Sequence, residues 1–146
     1  MKLLVAIALI LSAAHVFALP TVREMDEFEK GMFAKHEDLA QLWKFSRGSD
    51  QDVAGRLVVV SRHSIEEVTH VYDMIHIYSL VTNDADKTAI LSYINQRLSF
   101  SSKRIDFSIE EVNLEVSSVK GAALISAADR LKADLRTFQT MIAAPH

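Results

Sequence analysis

The chain is 146 residues long and 49% hydrophobic, with 16 Lys+Arg against 19 Asp+Glu, a net charge of −3, and no cysteine. The negative balance excludes the general basic footprint by which proteins hold nucleic acid. The missing cysteines exclude a disulfide framework and thiol chemistry alike. With four glycines and two prolines there are few breakers, which favours long helices over a many-turned β fold.

The first residues read MKLLVAIALILSAAHVFALP. One lysine, an apolar run over residues 3–11 and small residues ending in Val16, Phe17 and Ala18 have the layout of a secretory signal peptide cleaved after Ala18. That run is too short to span a bilayer, which takes about 20 residues. Residues 19–146 are then expected to form one domain, with no transmembrane segment. Without Lys2 that domain carries 15 Lys+Arg against 19 Asp+Glu, a net charge of −4. The expected destination is extracellular, or periplasmic if the source has an outer membrane.

Beyond the leader, four helices are predicted, in an all-α antiparallel four-helix bundle. Thr21-Val22-Arg23-Glu24 spells a capping box, and Met25, Phe28, Met32, Leu39 and Leu42 recur at helical spacing, giving a first helix over 22–46. Asp26 and Lys30 make a favourable i,i+4 pair. Gly48 supplies a stop, and Ser49 or Asp50 is positioned to cap the next helix. That second helix, 53–82, sets Leu57, Ser61, Ser64, Val68, Val71, Ile75 and Tyr78 on one 4-3-4-3 stripe, the seam of near-parallel helix packing.

Asn83 or Asp84 is the expected cap of a third helix over 85–119. There Leu91, Leu98, Ile105, Val112 and Val119 repeat every seven residues, widened by Ile90, Ile94, Ile109 and Val116. Ser101 and Ser108 on the same face would allow close approach of a neighbour. Gly121 is the one turn signal before the fourth helix, 122–143, whose seam is Leu124, Ala128, Leu131, Leu135, Phe138 and Ile142. Glycine costs only about 1 kcal/mol inside a helix, so compactness, rather than Gly121 itself, argues for a turn.

Chemistry-bearing residues concentrate on the second helix. Glu67 and His70 form an E-x-x-H and Asp73 and His76 a D-x-x-H; His63, Glu67 and His70 share a face from which a zinc or copper ion could be held. Di-iron bundles spread such pairs over several helices, and here they sit on one. The plainer expectation is a solvated polar face, because His63, Glu66, Glu67, His70 and Asp73 fall opposite the main apolar seam. His36 lies within the apolar stripe of the first helix, where a haem bundle would place an axial ligand, with Met25, Met32, Met74 and Met141 as soft partners. A hydrogen-bonded core histidine and gap-filling methionines account for the same residues. No G-x-S-x-G, glycine-rich phosphate loop, H-E-x-x-H or C-x-x-C-H occurs, and catalysis is not expected.

Surface is what remains. Phe33, Ala40 and Trp43 widen the apolar face of the first helix around His36, and Val59, Met74, Ile77 and Val81 lie roughly opposite the main seam of the second. These are the expected partner or ligand surface. The expectation is therefore a secreted, non-catalytic protein-interaction or self-associating module. A carrier of a small apolar, lipid-like ligand is the alternative, a metal or haem binder the third, and no cofactor is required.

Overall fold

Residues 19–143 of the computed structural model are described, and they form four helices with no strand: α1 (Val22–Phe45), α2 (Ser49–Leu80), α3 (Asp84–Val116) and α4 (Ala122–Ile142). The expected leader, residues 1–18, and the expected Ala144-Pro145 stop lie outside the described residues. None of the four helices is long and apolar enough to cross a membrane.

The helix ends follow local chemistry. At α1 the Thr21 side chain accepts the Glu24 N–H at 3.1 Å, while Glu24 Oε2 accepts the Thr21 N–H at 2.7 Å. Those two contacts satisfy donors that the first turn would otherwise leave open. Lys30 and Asp26 pair at 2.6 Å one turn along. Asn83 caps α3 by accepting from Ala85 and Asp86.

Two boundaries differ from expectation by more than two residues. α2 starts at Ser49, four residues before the predicted start at 53. Gly48 turns the chain at φ 59° and frees Ser49–Asp52 to form a first turn whose Asp50 and Asp52 suit the positive helix end. Gly48 itself occupies the cap position, without a side-chain bond. α3 ends at Val116 rather than 119, and a short turn to Gly121 separates it from α4.

The predicted seams face inward. Leu57, Ser61, Ser64, Val68, Val71 and Ile75 are buried on α2, Leu98, Ile105 and Val112 on α3, and all six seam residues of α4. Each fully buried large apolar side chain contributes roughly 1.5–3 kcal/mol relative to exposure. Packing of these seams, more than intrinsic propensity, therefore holds the helices.

α2 and α4 each contact the other three helices, α2 far more extensively, whereas α1 and α3 do not touch. α2 stays unbroken through Ser64, whose hydroxyl donates to the Val60 carbonyl at 2.8 Å instead of capping a new helix. Cross-contacts tie early residues of one helix to late residues of the next. Glu29 meets Thr69 and Arg56 meets Glu115, while Gln139, late in α4, donates to Ser102 O and Asp106 Oδ1 beyond the middle of α3. Between α1 and α4, Lys35 pairs with Asp134 and the rings of Phe28 and Phe138 stack at 5.7 Å. A Cβ on Gly121 would stand 2.7 Å from Asp50 Oδ2, so the α1–α2 and α3–α4 joints lie side by side.

Candidate functional site

Three features of the surface and interhelical contacts bear on function: a groove between α1 and α2, a polar clamp between α2 and α3, and apolar side chains left outside the core.

The groove has a volume of about 590 Å³ and is walled by Phe33 and His36 from α1 and by Ile65, Thr69, His70 and Asp73 from α2. Helical spacing puts these residues there, since Phe33 and His36 are three apart and Thr69, His70 and Asp73 span one turn. Phe33 is half exposed and gives the groove an apolar wall. His36 is half-buried, and its Nδ1 is buried without a hydrogen-bond partner. Across the mouth Arg62 pairs with Glu66 at 3.2 Å, while His70 Nε2 lies 3.3 Å from Arg97 Nη2 on α3. The groove thus joins one apolar wall to a rim of both signs.

The clamp overturns the expectation that Glu67 belongs to a solvated face. Glu67 is only 5% exposed. One carboxylate oxygen accepts from the Ser101 hydroxyl and the other lies 2.9 Å from Arg104 Nη1. Small Ser101 lets α3 approach closely enough to cover it. His63 remains exposed, and His70 is turned towards Arg97. The residues His63, Glu67 and His70 are thus not gathered as a ligand set: among the described residues no three His, Asp or Glu side chains converge to hold a metal.

Of the residues expected to form a surface, Phe33, Trp43 and Ile77 are exposed, and His36 and Val81 are half-buried. Met74 is 8% exposed and belongs to the core, because α2 is covered on more than the one side its main seam implied. Trp43 also has a local task. Its indole lies over Gly55, where a Cβ would stand 3.1 Å from Nε1.

The sequence expectations missed a row on α3. Tyr93, Phe100, Phe107 and Leu114 are 54%, 50%, 70% and 74% exposed, and they stand seven residues apart. The signal was present as a second sevenfold spacing, two residues on from Leu91, Leu98, Ile105 and Val112. Two rows of equal period cannot be ranked by period alone, and the buried one is the one with aliphatic neighbours on both sides.

No family model, curated protein or solved structure matches this chain.

Proposed function

We propose that the chain is a secreted, non-catalytic helical protein that works through its outer surface, as a protein-interaction or self-associating module. Its frame in this reading is an antiparallel four-helix bundle, one domain following a leader cleaved after Ala18. The early-to-late pairings of Glu29 with Thr69, Arg56 with Glu115 and Phe28 with Phe138 support that arrangement.

One observation carries the functional reading: the row of exposed apolar side chains on α3, on the side away from its buried seam. Large apolar side chains cost solubility when left in water, and several aligned on one face mark a contact surface.

Carriage of an apolar ligand is the second reading, supported by the α1–α2 groove with its Phe33 wall and its unpartnered His36 nitrogen. Native mass spectrometry of the protein purified from its own source separates the two. A dimer or a bound protein supports the module, a co-purifying lipid supports the carrier, and a bare monomer counts against both.

A further inference from the structure

The α3 row has a geometry that narrows what covers it. Seven residues fall about 20° short of two full turns, so side chains at this spacing form a nearly straight ridge. From Tyr93 to Leu114 the ridge is about 32 Å long at 1.5 Å per residue. It stands roughly 200° round the helix from the buried row of Leu98, Ile105 and Val112, exposed to solvent but with Phe107 bordering a cleft shared with His63 and Glu66 of α2. Gln96, Lys103 and Glu110 line one side of the ridge; Arg97, Arg104 and Glu111 line the other. On both sides the charge changes sign along the helix, from cations to the anions Glu110 and Glu111.

Resting on the reading of this protein as an interaction module, we infer that the ridge from Phe100 to Leu114 is where two copies of the chain pair, their α3 helices antiparallel about a two-fold axis at Phe107. In that register Phe107 meets its own counterpart and Phe100 stands level with Leu114 of the second copy. A two-fold of this kind sets like flanks against each other. Lys103 therefore faces Glu110 of the second copy, and Arg104, already tied to Glu67, faces Glu111 of the second copy. Each attraction occurs twice. Parallel pairing would set Lys103 against Arg104 and Glu110 against Glu111, stacking like charges. Moving the axis to a point between Lys103 and Arg104 would oppose the two copies of Lys103. The sign pattern thus selects one orientation and one register. It also disfavours a membrane as the occupant, since a lipid-binding helix carries cations on both flanks.

The contact covers roughly 300 Å² on each copy, below the area of a stable dimer, so pairing is reversible and depends on concentration.

Sedimentation equilibrium of the chain, expressed in full and purified in the form the host produces, tests this. The wild type is expected to pass from monomer towards dimer between about 1 and 500 µM. Phe107→Asp is expected to abolish the rise, and K103E and E110K each to weaken it about tenfold. A mixture of K103E with E110K, or the double variant, regains it. Far-ultraviolet circular dichroism confirms that each variant keeps its helices, and all three altered side chains are exposed. K103E pairing more tightly than wild type would indicate the parallel arrangement and overturn the proposal. So would a dimer indifferent to Phe107→Asp, which leaves an interaction module with its contact elsewhere. A wild type monomeric throughout also overturns it; the broader reading then stands or falls on whether native mass spectrometry finds a different protein bound. Phe107-dependent binding to neutral phosphatidylcholine vesicles without self-association would make the ridge a lipid face instead, and equally overturn it.

Discussion

Removing the Ser101 hydroxyl tests whether the α2–α3 interface depends on a satisfied Glu67. The Glu67 side chain is 6% exposed and Ser101 is fully buried, so the oxygen released by Ser101→Ala has no ready access to water. A buried acceptor left unpaired costs about 1–3 kcal/mol, with charged groups at the upper end. Alanine recovers a few tenths of that through its better helix propensity. The expected net loss is about 2 kcal/mol, close to 8 °C in Tm for a chain of this size.

Glu67→Met removes the carboxylate while keeping an unbranched side chain of similar length. Ser101 can then bond back to its own helix, and Arg104, 68% exposed, turns to water. That variant is expected to stay within about 1 kcal/mol of wild type, or to gain stability. In the double variant, the cost of Ser101→Ala should largely vanish. Urea unfolding followed by the helical circular dichroism signal gives all four corners of the cycle. If Ser101→Ala costs less than about 0.5 kcal/mol while Glu67→Met is strongly destabilising, the carboxylate itself holds the helices together and the reasoning fails.

Two glycines should respond oppositely to alanine. Gly48, at φ 59° and ψ −140°, has open space around a built Cβ, so Gly48→Ala carries a backbone penalty alone, about 1–3 kcal/mol. Gly31 is helical with nothing near a Cβ, and Gly31→Ala should stabilise by up to about 1 kcal/mol; thermal unfolding of the pair reads both signs. The Thr21 N–H, and then the Thr21 hydroxyl, hold the Glu24 carboxyl below its usual range. Because the folded value is the lower one, this contribution is present above the unfolded value of 4.5 and is lost as pH falls through the folded value. Glu24→Gln should therefore flatten that acid limb in a pH series of urea midpoints, and an unchanged limb would remove the capping box from its causes.

The candidate site was legible only in part. Phe33, Trp43 and Ile77 were identified as surface because they sit at the margin or on the far side of a helical stripe, and they are exposed. Met74 was misplaced by the same logic. A helical wheel has one inside and one outside, whereas α2 touches three neighbours and is buried on more than one side. Glu67 was misplaced for a related reason: a carboxylate reads as solvent-facing unless its partner is known, and Ser101 and Arg104 are more than thirty residues away along the chain. The four exposed residues of the α3 row were visible as letters and still unreadable as a surface, since the neighbouring seven-residue row is equally apolar.

Helix content, the positions of the four rods, the Thr21 and Asn83 caps and most of the core come from interactions between residues no more than four apart, or from periodicities that any one helix displays alone. Such properties need no partner to be defined, so the order of amino acids is enough to determine them. Which side of α2 still meets water, why a glutamate is enclosed and which sevenfold row on α3 stays bare depend on where other helices lie. Burial of a side chain belongs to a pair of surfaces, and only the folded chain brings the second surface into place.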